Sequence, residues 1–181
     1  MMRTVDHPLK KEIDSPLGVL TLLASDLGLQ ALLWPAQQDR WRTERDSATR
    51  ADDHPVLKSA AAQVRQYFAG ERRVFDLPLD PVGTPFQCQV WDLLAQISYG
   101  QTTTYGQLAQ SLGASGKAQA VGAANGRNPI SIIVPCHRVI GHGGDLTGFA
   151  GGLDAKSYLL ELERGGVPPA ERPPQQGDLF L

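Results

Sequence analysis

Ile132-Ile133-Val134-Pro135-Cys136-His137-Arg138-Val139-Ile140-Gly141 places a thiol directly beside an imidazole, between two apolar stretches. Successive β-branched aliphatic residues predict a buried, extended segment that carries one cysteine to a sheltered position. A thiol becomes a strong nucleophile only as thiolate, and a neighbouring base or positive charge is the usual means of making one. Cys136 has two readings: core filler, since free cysteine is among the most buried residue types, or a reactive thiol. Pro135 lacks a backbone donor and His137 and Arg138 are polar, which suits a site better than a packed strand. Adjacent side chains of an extended segment point to opposite faces, so a direct Cys136–His137 hydrogen bond is not expected and a bridging water is the natural relay.

The rest of the chain bounds what this site can be. Its 181 residues are enough for one ordinary domain or two small ones with a real core. No long apolar stretch could span a bilayer, and residues 1–9 are too polar for a signal peptide, so a cytoplasmic location is expected. Two cysteines, Cys88 and Cys136, are too few for a disulfide framework and suit a reducing compartment. The four histidines show no zinc-type spacing, so no metal is expected. Net charge is −2. Between residues 84 and 165 the bases are Lys117, Arg127, Arg138, Lys156 and Arg164, matched by five acids. Any nucleic-acid binding should therefore use few phosphate contacts and depend only shallowly on salt.

Residues 10–34 alternate apolar stretches with turn signals at Ser15-Pro16-Leu17-Gly18 and Asp26-Leu27-Gly28, predicting three antiparallel strands. Residues 37–53 are charged and lack a period, predicting a solvated loop. Leu57, Ala61, Val64 and Phe68 have helical spacing within residues 54–69, after Pro55 and before Gly70. The prolines of residues 76–83 suggest a linker. The division is then 1–78, an α/β domain of three-stranded sheet plus helix; 79–84, a linker; 85–166, a mostly helical domain; and 167–181, a tail. The fold class is α+β. Thr84-Pro85 starts a helix with Phe86, Val90, Leu93, Leu94 and Ile97 on its apolar face. Residues 104–112 and 117–126 are short helices joined by Gly113-Ala114-Ser115-Gly116, a helix-turn-helix pattern. The second helix carries almost no bulk at Ala118, Ala120, Val121, Gly122, Ala123 and Ala124. That slimness permits close approach to a nucleic-acid backbone or equally tight packing on a neighbouring helix. The last helix, residues 154–164, packs Tyr158, Leu159 and Leu162 inward. Its final turn holds Glu163, where the helix dipole disfavours an acid, a hint of a role beyond solvation.

From about residue 84 to residue 165 the chain resembles the O6-alkylguanine-DNA alkyltransferases, the methylated-DNA–protein-cysteine methyltransferases. The resemblance lies in Pro135-Cys136-His137-Arg138-Val139, in the Asn-Gly-x-Asn-Pro loop at Asn125 to Pro129, and in Gly-Gly-Leu-x-x-Lys at Gly151 to Lys156. Ser15-Pro16-Leu17-Gly18 is a weaker amino-terminal match. The resemblance implies single-turnover transfer of the alkyl group of O6-alkylguanine, and of O4-alkylthymine, in double-stranded DNA to Cys136, with no cofactor. It implies His137 as base through a water, Glu163 orienting the imidazole, Asn128 as the loop hinge, and Tyr105 donating toward the leaving guanine. An alkylated base must leave the stack to be reached. The family's second helix enters the minor groove, which implies contacts from Ala118, Gln119, Gly122, Arg127, Tyr105, Val139, Phe149 and Ala150. On its own residues Tyr105 reads rather as an amphipathic anchor at a helix start.

Departures from the family pattern are specific. Gln119 replaces an arginine that fills the gap left by the flipped nucleotide; glutamine lacks the charge and planar fork, which implies weaker lesion capture, with Arg127 or Lys117 able to help. Ala150 replaces a pocket serine, and Phe149 a frequent tyrosine. The proline-rich tail ends in Gln176-Gly177-Asp178-Leu179-Phe180-Leu181, which resembles the bacterial sliding-clamp-binding pentapeptide through Gln176, Asp178, Leu179 and Phe180; the alternative is that its apolar side chains tuck back on the protein itself. The residues leave two rival functions open: a Cys–His thiol hydrolase, and a non-catalytic sensor of alkylated DNA.

Overall fold

A computed structural model describes residues 8–37 and 41–165. Strands β1 (Leu9–Ile13), β2 (Leu20–Ala24) and β3 (Leu29–Leu33) form the expected antiparallel meander. The first turn is closed by reciprocal Ser15–Gly18 backbone bonds of 3.1 Å, with Gly18 at φ +100°, a conformation that favours glycine.

β2 and β3 are buried on both faces, so each face needs a cover. Leu20, Leu22 and Leu32 join a large core with helix α2 (Pro55–Phe68). Leu23, Ala31 and Leu33 form a second cluster with Ala48, and Trp41 packs against it. The segment that supplies this second cover is the one expected to be a solvated loop. After a 3₁₀ turn (Pro35–Gln37) it holds helix α1 (Arg42–Ser47) and a short strand β4 (Thr49–Arg50) paired parallel to β1. The sheet therefore has four strands, in the order β3-β2-β1-β4, rather than three. The charges of α1 face water while Trp41 and Ala48 meet the sheet, and a pattern that sparse gives no readable period.

Helix α2 begins with proline in its first turn and is followed by Gly70 at φ +74°. Its buried face includes Leu57, Ala61, Val64 and Tyr67, while Phe68 is only partly buried. The connection that follows is strapped down. Gln63 exchanges two 2.8 Å bonds with the backbone of Asp76. Leu29 N–H donates to Pro78 O and Asp80 N–H to Leu29 O, each at 2.8 Å. The Asp80 carboxylate accepts from Ser25 and Gln30. Further along β3, Leu32 N–H donates to Pro129 O at 2.9 Å. The free edge of the sheet is thus covered by two later segments, as an exposed edge requires.

Helix α3 (Pro85–Leu94) and helix α4 (Tyr105–Ser111) both start with capping boxes, Thr84/Gln87 and Thr104/Gln107. Trp91 of α3, not expected on the apolar face, is buried and donates to Ala124 O at 2.9 Å; Ile97 falls beyond the helix end. Helix α5 (Ala118–Gly126) follows a turn with Gly113 and Gly116 at positive φ. Strand β5 (Thr103–Thr104) pairs parallel with β6 (Val139–Ile140), and helix α6 (Leu153–Glu163) closes the described chain. One core cluster draws on both halves, from Leu22 and Leu57 to Val90, Val121, Cys136 and Leu159.

Gly28 marks where the strap touches the sheet: a Cβ there would lie 2.6 Å from Pro78 O. Gly28→Ala should lower the free energy of unfolding by about 1–3 kcal/mol through this backbone clash, read by urea denaturation. An unchanged midpoint would mean that the strap yields freely.

Candidate active site

The run Ile132-Ile133-Val134 is buried or nearly so, but it is not a strand. Ile132 sits at φ +73°, rare for a β-branched residue. The chain folds back on itself through Val134 N–H to Ile130 O at 2.9 Å and Cys136 N–H to Val134 O at 2.8 Å. Asn128 braces the turn from inside: its Nδ2 donates to Val134 O at 2.7 Å and its Oδ1 accepts from Ile130 N–H at 3.0 Å. The extended-segment expectation fails because apolar character reports burial, whereas the backbone's needs are met here by a side-chain amide.

Cys136, His137 and Arg138 form a 3₁₀ turn, all three buried. The sulfur has Ser131 Oγ at 4.0 Å. Burial pushes the thiol pKa up, while hydrogen bonds from Asn128 and Ser131 and the charge of Lys156 pull the other way. Cys136 does not hydrogen-bond His137. Instead, His137 Nε2 meets Glu163 Oε1 at 2.7 Å, and Nδ1 is buried with no partner among the described residues.

Glu163 is a buried carboxylate held well below the ordinary range, at about 2. Burial opposes that shift; His137 and Arg138, by hydrogen bond and charge, produce it. As an ionised acid it can only accept, so Nε2 carries the proton and the neutral ring offers its Nδ1 lone pair. Burial also lowers the His137 pKa, opposed by Glu163 and reinforced by Arg138 and Lys156. The ring is therefore an uncharged base at neutral pH. Glu163 and His137 could thus serve as orienter and base toward a nucleophile, since a neutral imidazole can take a proton.

Sequence reasoning assigned no role to several groups that complete this cluster. Arg138 donates Nε to Glu163 Oε2 and Nη2 to Oε1, each at 2.9 Å, and Nη1 to Ile97 O. Gly100 N–H and Tyr67 Oη also donate to the carboxylate, at 3.0 and 2.8 Å. Lys156, fully buried, donates to Val139 O at 2.6 Å and Thr147 O at 2.8 Å, tying β6 to the loop before α6. Arg138 was visible as a charge in an apolar run; Tyr67 left no signal, since it lies 96 residues from Glu163.

The predicted lesion contacts fall in two groups. Phe149 stands edge-on to His137 with centroids 6.4 Å apart and is backed by Trp34 at 5.4 Å. Ala150 beside it is half-buried, and Val139 is fully buried. Tyr105 begins α4, accepts from Thr147 Oγ1 at 3.1 Å, and lies against Gly122, where a Cβ would meet its ring at 3.6 Å. On α5 the exposed residues are Gln119, Ala120, Ala123 and Gly126, with Lys117 and Arg127 exposed at its two ends and Ala118 half-buried. Gln176, Asp178, Leu179 and Phe180 lie outside the described residues.

Comparison with known proteins agrees over both halves. Residues 85–165 match the family described as "6-O-methylguanine DNA methyltransferase, DNA binding domain", and residues 9–81 match "6-O-methylguanine DNA methyltransferase, ribonuclease-like domain". A methylated-DNA–protein-cysteine methyltransferase of Mycolicibacterium paratuberculosis is 48% identical over 87% of this chain and 93% of its own. One from Methanosarcina acetivorans is 45% identical over 83% of this chain and 94% of its own. The crystal structure of Mycobacterium tuberculosis OGT in complex with DNA superposes with a TM-score of 0.80 at 47% identity, covering 89% of this chain and 96% of that one. No helix among the described residues is long and apolar enough to cross a membrane. With identity at this level running through both halves, the chain belongs to the methylated-DNA–protein-cysteine methyltransferase family.

Proposed function

We propose that this chain repairs alkylated DNA directly, moving the alkyl group of O6-alkylguanine, and by the same chemistry O4-alkylthymine, onto Cys136 in a single turnover. The observation that carries the reading is the buried imidazole of His137, next in sequence to the buried Cys136 thiol, whose Nε2 is held by Glu163 and whose Nδ1 has no partner among the described residues. In the displacement, sulfur forms a bond to the alkyl carbon as the carbon–O6 bond breaks. The electron pair stays with the base, which takes up a proton, and the thiol proton passes through a water to His137 Nδ1.

A thiol of pKa ~8.5 holds only a few per cent thiolate at neutral pH, and burial here lowers that fraction further. Deprotonation therefore accompanies the displacement. Asn128 fixes the loop that carries the sulfur, and Tyr105 supplies a hydroxyl for the leaving base. The target must be extruded to reach a buried sulfur. The exposed, small face of α5 suits a close minor-groove approach, with Gln119 in place to fill the vacated stack. The product is a thioether that water does not cleave, so each molecule acts once and no cofactor is needed. That outcome separates this reading from a hydrolase or a sensor. A cytoplasmic location follows from the same chemistry, which needs a reduced thiol.

The tail supports a second contact: Gln176, Asp178, Leu179 and Phe180 would dock on the sliding clamp. Deleting residues 176–181 should abolish clamp binding in a pull-down and leave alkyl transfer intact; unchanged binding would contradict it.

Intact mass after reaction with an O6-methylguanine duplex should rise by one methyl group, located on Cys136, with no turnover beyond one equivalent per chain. Replacing His137 by Asn should slow the transfer by about 10²–10⁴-fold, the usual contribution of a positioned base. The pH dependence has a definite sign. Because burial lowers the His137 pKa, its lone pair persists below the ordinary imidazole value of ~6.5. Single-turnover rates should stay level from neutral pH down through that value and fall only at lower pH. A rate already halved above it would contradict His137 as the base.

A further inference from the structure

We propose that Tyr67, on α2 of the amino-terminal half, is a positioning residue that tunes His137 by competing with it for Glu163 Oε1. The proposal rests on the alkyl-transfer reading above and extends it to a residue outside the helical half. Tyr67 is fully buried, and its hydroxyl lies 2.8 Å from Oε1. His137 Nε2 reaches the same oxygen at 2.7 Å and Arg138 Nη2 at 2.9 Å. A carboxylate oxygen has about two lone-pair sites, so three donors share what two would fill. Oε2 is occupied separately by Arg138 Nε and Gly100 N–H.

The phenol is fixed in this role. Its ring is boxed by Phe68 and Phe75, each with centroids at 5.6 Å, and by Tyr99 at 6.1 Å. Burial, then the charge of Glu163, pushes its pKa far up, so the hydroxyl remains a donor across the working pH range. A donor on Oε1 draws charge from the oxygen that must stabilise an imidazolium. Removing it lets Oε1 accept more strongly from Nε2–H, and the protonated ring gains. Tyr67 therefore holds His137 less basic and extends the neutral form to lower pH. The other groups facing the cluster are Arg138, Lys156, the neutral Cys136, Tyr99, and Arg73 across the Tyr99 ring. All remain in place when only the Tyr67 hydroxyl is deleted.

The test uses the full chain, wild type and Tyr67→Phe, with two readouts. One is the NMR titration of the His137 imidazole, assigned by its loss in the His137→Asn protein. The other is single-turnover transfer from an O6-methylguanine duplex across the acid limb. In Tyr67→Phe the His137 pKa should rise by about 0.5–1 unit. The limb should move with it, so that transfer slows about three- to tenfold on the limb and changes less than about twofold on the plateau. Site-specific 3,5-difluorotyrosine at position 67, a stronger donor of nearly the same shape, should shift both in the opposite direction and serves if the phenylalanine protein does not fold. An unmoved His137 titration, or a rate loss equal at every pH, overturns the proposal and leaves Tyr67 a packing residue. Wild-type protein that leaves Cys136 unalkylated overturns the functional reading instead, while the titration still decides whether Tyr67 acts on His137.

Discussion

The carboxylate of Glu163 is the constraint on which the site depends. A bare buried carboxylate would be prohibitively costly, and the protein offsets that cost with donors from three separate parts of the chain. Tyr67 comes from α2, Gly100 from the turn after α3, and His137 and Arg138 from the 3₁₀ turn. One charge thereby stitches the sheet-bearing half to the helical half at the point where chemistry is proposed. The same ionised state dictates the imidazole tautomer, because an acceptor-only group must face an N–H. Stability and reactivity are thus written into one residue: removing it would leave Arg138 buried without its counterion, a loss on the order of 3–5 kcal/mol, and would free the ring to flip.

Burial does opposite things to the two reacting partners, and the combination is useful. It raises the thiol pKa and lowers that of His137, so both rest neutral. A permanently ionised cysteine would react with every oxidant and electrophile in its surroundings. A neutral thiol beside a neutral base stays inert until an alkyl carbon is positioned in line with the sulfur. Under the single-turnover reading proposed above, such unreactivity toward everything else preserves the one reaction each molecule performs.

Much of the architecture was legible because it is locally encoded. The cap at Thr84, Pro55 at the start of α2 and Gly70 at its end each satisfy or terminate a helix by chemistry within a few residues. The turn at Ser15–Gly18 likewise announced the first hairpin. What escaped was set by distant partners. Residues 41–50 read as solvent-facing since only Trp41 and Ala48 cover the second face of the sheet. Ile132-Ile133-Val134 read as a strand since β-branched residues favour strands, yet Asn128 supplies the bonds that let the backbone turn. The candidate thiol, imidazole, amide and acid could be named from sequence. The Tyr67 donor could not, because a tyrosine on an amphipathic helix carries no mark of the carboxylate it will meet.

The positions of the basic residues constrain how such a molecule can hold DNA. Of the five bases between residues 84 and 165, Arg138 and Lys156 are turned inward to serve Glu163 and the backbone around β6. Lys117, Arg127 and Arg164 remain exposed. Counterion release scales with the phosphates neutralised, at a slope of roughly −0.9 per contact, so charge alone gives this surface modest hold. The exposed side of α5 offers something different: Ala120, Ala123 and Gly126 present almost no side chain. A face without bulk lets peptide backbone lie near sugar and phosphate, where van der Waals contact contributes without requiring positive charge. Shape rather than charge is what this exposed face of α5 offers, while the inward arginine and lysine are already engaged with Glu163 and the backbone around β6.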